Sequence, residues 1–164
     1  MKSVARFEKV SFEQFKNDFE FDFDVNLIYK NIKKPVRATI GSAGYDFFAP
    51  FDFTLNPGQT IKIPTGIRAF IEDGYVLSIY PRSGLGFKYR IQLNNTVGII
   101  DSDYYNAKNE GHIMIKLTND SNEGKVLTVK AGEGIAQGIF SEYFITYDDQ
   151  TNGVRSGGFG STTK

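Results

Sequence analysis

The chain has 164 residues, 40% hydrophobic and 23% charged, which is ordinary usage for one globular domain with a sizeable core and excludes a disordered or membrane-spanning class. Its 19 basic and 19 acidic residues balance, and no Lys/Arg block is dense enough to track a phosphate backbone, so polymeric nucleic acid and membranes are not expected as partners. The absence of cysteine excludes disulfides and thiolate metal sites, and with a single histidine it leaves a hard cation on oxygen ligands as the metal type to expect. No apolar run approaches the roughly 20 residues of a bilayer span, and no apolar stretch follows the first residues as in a secretory signal, so a cytoplasmic protein is expected.

In chain order, residues 1–34 are rich in phenylalanine. Phe12, Phe15 and Phe19 recur on one helical face, and Ser11 followed by Gln14 fits a capping box, so one short amphipathic helix is expected there. Val25–Tyr29 reads as a strand, ended before Pro35. From Gly41 onward short β-rich runs follow one another: 45–48, 51–55, 60–63, 66–71, 75–80, 113–117, 126–129 and 135–145. Turn signals such as Asn56-Pro57-Gly58 and Glu72-Asp73-Gly74 separate them. The alternation around Ile113, Ile115 and Leu117 puts those three in the core and His112, Met114 and Lys116 on the other face. The pattern predicts an all-β fold, a jelly-roll-like barrel or sandwich with at most one or two short helices. Residues 1–151 are expected to form one β domain, and the unpatterned, glycine-rich 152–164 an arm that is mobile when free.

One stretch interrupts this pattern in a way that suggests chemistry. In L-N-N-T-V-G-I-I-D-S-D-Y, residues 93–104, an apolar strand stops at Asp101, with a second carboxylate and an aromatic ring close behind. A carboxylate at the rim of a core is where a general base is found. An Asp-Ser pair also opens turns, so the stretch alone does not decide. Four further clusters pair glycine with polar groups: Ala43-Gly44-Tyr45-Asp46, Pro81-Arg82-Ser83-Gly84, residues 132–137 (G-E-G-I-A-Q) and residues 155–162 (R-S-G-G-F-G-S-T). Glycine allows close backbone approach, Arg and Ser donate to phosphate oxygens, and carboxylates hold hydrated metal or activate water. The tail lacks the order of a P-loop, and Gly84-Leu85-Gly86 lacks the third glycine of a dinucleotide fingerprint.

Taken together and in this order, A-G-Y-D, P-R-S, N-x-V-G-I-I-D-S-D-Y, G-E-x-I-A-Q and R-x-G-G-F-G-S-T resemble the five motifs of the homotrimeric dUTPase family, from about Pro35 to the end. The resemblance implies a jelly-roll-like subunit, a trimer with active sites where subunits meet, and Mg²⁺-dependent hydrolysis of dUTP to dUMP and pyrophosphate. It implies Asp101 as the base that activates water, Asn95 as the reader of the uracil edge, and Tyr104 as the ring against the deoxyribose. Gly98 and Ile100 would line the nucleotide. Arg82, Ser83, Gly84 and Gln137 would meet phosphates and water, and Asp46 would touch the metal through water. The tail would supply Arg155 to the γ-phosphate and Phe159 to the base, with Gly160, Ser161 and Thr162 beside the phosphates.

Gly84, Gly86, Gly134, Gly138 and Thr163 depart from the family's usual residues, and Tyr105–Glu110 is inserted after the third motif. Two other readings stay open at this stage. Glu110-Gly111-His112 resembles the Glu-Gly-His stretch of dCTP deaminase, and some phage dUTPases bind regulatory proteins, for which the N-terminal segment and the insertion offer surface. His112 itself is expected at an unremarkable surface or interface position.

Overall fold

The computed structural model describes residues 2–153, 155 and 157. Alternation of apolar and polar residues along short strands dictates the architecture, since each strand buries one face. The strands are β1 (Ala5–Lys9), β2 (Val36–Arg37), β3 (Tyr45–Phe48), β4 (Phe53–Leu55), β5 (Thr60–Pro64), β6 (Ile67–Ile71), β7 (Tyr75–Pro81), β8 (Ile91–Leu93), β9 (Gly98–Ile100), β10 (Met114–Asn119), β11 (Leu127–Val129) and β12 (Gly134–Glu142). They pair antiparallel in four sheets, ordered β1-β6, β5-β10-β8, β11-β4 and β2-β3-β12-β7-β9, around one core. In β10 the expected alternation holds: Ile115 and Leu117 are buried and Lys116 is exposed. The fold is the jelly-roll-like β class anticipated from the sequence.

Among the described residues there are three short helices, one more than the sequence suggested: α1 (Phe12–Asp18), α2 (Val25–Asn31) and α3 (Ser83–Tyr89). Helix α1 starts where expected, with the Ser11 hydroxyl accepting the Gln14 N–H at 3.1 Å. The reciprocal half of the capping box is absent, because Gln14 donates to Asp18 and the Ser11 N–H goes to Glu110 instead. Phe15 is fully buried against Phe19 and Tyr29, which ties α1 to the main core.

Val25–Tyr29 is helix α2, not a strand. The Asp24 carboxylate accepts the Asn26 and Leu27 N–H groups at 3.0 and 3.2 Å, an N-cap that starts a helix. Val25, Ile28 and Tyr29, spaced at i, i+3 and i+4, then share the face turned to the core. Helix α3 follows an extended Arg82 and stops at Arg90, held in the left-handed region at φ 52°. Its two glycines hide it from propensity.

His112 is fully buried, against the expectation of a surface or interface position. Strand β10 begins only at Met114, and Glu110 and Gly111 turn in the left-handed region at φ 58° and 70°, so the alternation does not extend back to His112. Its Nε2 accepts the Gly66 N–H at 2.8 Å, and Nδ1 lies 2.6 Å from Asp18 Oδ2. Since Nε2 accepts, the ring proton sits on Nδ1 and is donated to Asp18.

Candidate active site

Strand β9 lies at the edge of the five-stranded sheet, paired with β7 so that Gly98 faces Ile79 and Ile100 faces Leu77. Gly98 fits because a Cβ there would stand 3.1 Å from the Cβ of Ile79. The Ile100 side chain is in the core, so only its backbone is free to meet a ligand. At Asp101 the chain leaves the sheet and enters a 3₁₀ turn, Ser102–Asn106. Asp101 makes no capping bond to that turn, and its carboxylate faces Arg155. The Arg155 Nη2 donates to Asp101 at 2.5 Å and its Nε to Asp103 at 2.8 Å. Arg155 also stands over the Tyr104 ring, 5.8 Å from its centroid, at cation–π distance. Tyr104 is itself buried; its hydroxyl donates to the His112 carbonyl and accepts from Asn109, both at 2.8 Å.

A second group of polar residues sits at the other end of β7. Asp46, Gln137 and Tyr80 lie side by side across β3, β12 and β7. Arg82 follows the end of β7, and its Nε lies 3.2 Å from Asp46. Gln137 donates to the Pro81 carbonyl at 3.2 Å. Gly44 and Gly134 make room for this group: a Cβ on Gly44 would come 2.7 Å from the Gln137 amide oxygen, and one on Gly134 would overlap the Arg82 guanidinium. Gly44 thus lets Gln137, and Gly134 lets Arg82, lie close to the sheet. Arg82, Ser83 and Gln137 line an open groove of about 670 Å³ with Phe87 and Ile139. Gly84 is exposed on the first turn of α3.

Asn95 is exposed at the tip of the hairpin between β8 and β9, where Thr96 turns at φ 64°. It lines a separate hollow of about 440 Å³ with Asn94, Asn109, Met114, Lys116 and Asp18. Asp103, Asn109 and Asp18 are absent from the sequence-based site. The D-x-D spacing around Ser102 was a signal for Asp103, whereas no local pattern marks Asp18, which reaches the hollow from a helix more than 70 residues away. Phe159, Gly160, Ser161 and Thr162 lie outside the described residues.

Among the described residues no group of three or more His, Asp or Glu side chains is placed to hold a metal ion directly. Asp46, the strand partner of Gln137 and ion-paired with Arg82, instead offers a single carboxylate beside the groove-lining Arg82. That donor set fits Mg²⁺ carried by substrate phosphates and water, because this ion keeps several waters and needs only one or two protein carboxylates.

Glu110, the residue that raised the deaminase reading, is occupied otherwise. Burial pushes its carboxyl up, but the Ser11 hydroxyl and N–H, at 2.6 and 2.7 Å, outweigh this and hold it below the usual carboxylate range. It is an ionised brace for the N-terminal segment.

A family model for dUTPase matches residues 30–163. The deoxyuridine 5'-triphosphate nucleotidohydrolase of Lactococcus lactis subsp. lactis (strain IL1403) is 41% identical over 145 residues, covering 85% of this chain and 95% of that protein. Among solved structures, the dUTPase of Streptococcus mutans is similar with a TM-score of 0.64 and 33% identity, over 85% of this chain and 97% of that one. A dUTPase of Staphylococcus bacteriophage 80alpha, solved with dUpNHpp, reaches 0.66 over 99% of this chain and 96% of that one; at 20% identity this is a likeness of fold alone.

Proposed function

We propose, on the premise that this chain belongs to the dUTPase family and hydrolyses dUTP to dUMP and pyrophosphate, that Asp101 is its general base and that each active site is shared between subunits of a homotrimer. In this reading Asp101 takes a proton from water as the water oxygen bonds to the α-phosphorus, and the bond to the bridging α–β oxygen breaks to release pyrophosphate. Arg82, Ser83 and Gln137 supply donors to the phosphate oxygens, where negative charge grows. Asn95 meets the uracil edge, with an amide that both donates and accepts. Tyr104, with the backbone of Gly98 and Ile100, closes the sugar side. Mg²⁺ would be held by the triphosphate and, through water, by Asp46, and it supplies charge neutralisation at the phosphates.

The observation that carries the shared site is strand register. Asp101 follows Ile100, which pairs with Leu77, while Gln137 pairs with Tyr80 and Arg82 follows Pro81. At about 3.3 Å per residue, six residues of β7 separate the levels of Asp101 and Arg82 by roughly 20 Å. One α-phosphate is too small to meet both from a single chain. A neighbouring subunit that brings its own Arg82, Ser83, Gln137 and Asp46 to this chain's Asp101 resolves the mismatch.

Arg155 holds the two carboxylates near the sugar pocket, and a bound triphosphate offers it a stronger anionic partner. Residues 152–164 thus act as an arm that closes over substrate, in a protein whose 1–151 form the β domain and which works in the cytoplasm. No helix of the described residues is long and apolar enough to cross a membrane.

The test is pyrophosphate release from dUTP, dCTP, dTTP and UTP by the wild type and by Asp101→Asn. We expect dUTP to be strongly preferred, and the variant to bind nucleotide and keep its fold while turnover falls by about 10² or more, the low end of general-base contributions. Near-normal turnover by Asp101→Asn would remove Asp101 from the role of base.

A further inference from the structure

The N-terminal segment and the insertion after the third motif lie apart in sequence, and the first 29 residues fall outside the dUTPase family match. In space they form one bonded unit. Ser11 donates its N–H and hydroxyl to Glu110, which sits at φ 58°, a backbone state that a residue with a side chain rarely adopts unless its surroundings hold it there. The Tyr105 hydroxyl donates to Glu8 at 2.7 Å, and Arg68 stacks over the Tyr105 ring at 3.9 Å. Gln14 and His112 both donate to the same oxygen of Asp18, at 2.7 and 2.6 Å.

We propose that Asp18, presented by helix α1, is a positioning residue for the sugar pocket, acting on Tyr104 through His112. The inference rests on the reading of Tyr104 as the ring that closes the deoxyribose side. His112 is the link. Its Nε2 is fixed as an acceptor by the Gly66 N–H, so its Nδ1 proton has to be received, and Asp18 receives it. The same residue's carbonyl accepts the Tyr104 hydroxyl at 2.8 Å. Without the Asp18 carboxylate a fully buried N–H loses its acceptor, and the ring cannot exchange tautomers without turning an N–H against the N–H of Gly66. The residue then shifts, and the carbonyl that anchors Tyr104 shifts with it. A second observation points the same way: Asp18 stands with Asn95 and Asn109 around one hollow, and Asn109 is the other partner of the Tyr104 hydroxyl.

The experiment measures kcat/KM for dUTP and for UTP, well below the melting temperature, in wild type, Asp18→Ala, Asp18→Asn and Tyr104→Ala. A displaced Tyr104 admits a 2′-hydroxyl, so Asp18→Ala should lower the dUTP:UTP ratio by roughly three- to tenfold, the size of one ordinary net hydrogen bond, here the one that anchors Tyr104. Asp18→Asn keeps an oxygen for the His112 proton and should retain most of the ratio, which a purely structural contribution of α1 does not predict. Tyr104→Ala tests the underlying reading by itself: an unchanged ratio there discards the sugar-platform role. A ratio that falls in Tyr104→Ala but not in Asp18→Ala overturns the positioning role alone.

Should Asp18→Ala not fold, the wild type still decides. His112 is the single histidine, so its ring ¹⁵N signals are unambiguous. We expect the Nδ1-protonated form and a change in its signals when dUpNHpp binds. An Nε2-protonated ring, or signals indifferent to the bound analogue, overturns the proposal.

Discussion

Arg155 and Asp101 illustrate how residues in this site serve in two states. A guanidinium 2.5 Å from Asp101 neutralises two neighbouring carboxylates, and in the proposed mechanism it leaves them when Asp101 receives a proton from water. Glu8 serves one state only. The Tyr105 hydroxyl, then Arg6 and Arg68, overcome its desolvation and lower its pKa from the ordinary 4.5 to about 2. A folded pKa below the unfolded one means that the contribution is complete above 4.5 and is lost as the pH falls from 4.5 towards 2, where the folded state also takes up the proton. Glu8→Gln should therefore be less stable than wild type near neutrality, with the gap closing over that acid range. Denaturant midpoints for both proteins at several pH values check this; a gap independent of pH would show that Glu8 contributes shape and not charge.

At the scale of elements, the arm makes the clearest prediction. In the proposed arm Arg155 is the anchor among the described residues, and fixing backbone costs roughly 1–2 kcal/mol per residue, so the proposed closure needs a ligand that offers several contacts at once. A triphosphate does so and a monophosphate product offers fewer. Ending the chain after Thr151 should leave the melting temperature nearly unchanged and remove most dUTP turnover; full-rate turnover by the truncated protein would refute the lid. The five motifs were legible because each places particular side chains at fixed local spacing, so Asp46, Arg82, Asn95, Asp101 and Gln137 could be named without coordinates. Elements decided by long-range packing were less so. Strand β1 was not foreseen, since Ala5–Lys9 gains its identity from pairing with β6, about 60 residues on. Val25–Tyr29 carries a pattern that serves strand or helix, and the Asp24 cap decides for helix. His112 was misplaced because a left-handed turn broke the alternation just before the strand. Asp18 could not be found at all, as it joins Asn95 only through the packing of α1.

For the whole molecule, the register of β7 is what supports the proposed sharing of each active site between subunits. Asp101 and the Arg82–Gln137–Asp46 group stand off opposite ends of one strand, and a rigid antiparallel sheet cannot fold its ends together. If each active site takes Asp101 from one subunit and Arg82 from another, Asp101→Asn and Arg82→Ala damage different contributors. Each variant alone should form an inactive assembly. Co-expressed in equal amounts and assembled at random, they should regain about a quarter of wild-type turnover, because each site has one chance in four of drawing an intact Asp101 and an intact Arg82 from its two contributors. A site contained within one chain gives no such recovery, since every chain then carries one lesion or the other. Purification with a different tag on each variant isolates the mixed assemblies, in which one site of a trimer's three is intact, so that pyrophosphate release from dUTP should rise there to about a third of wild type. Mixed assemblies as inactive as either parent would place the whole site within one subunit and require the ends of β7 to approach by a rearrangement of the sheet.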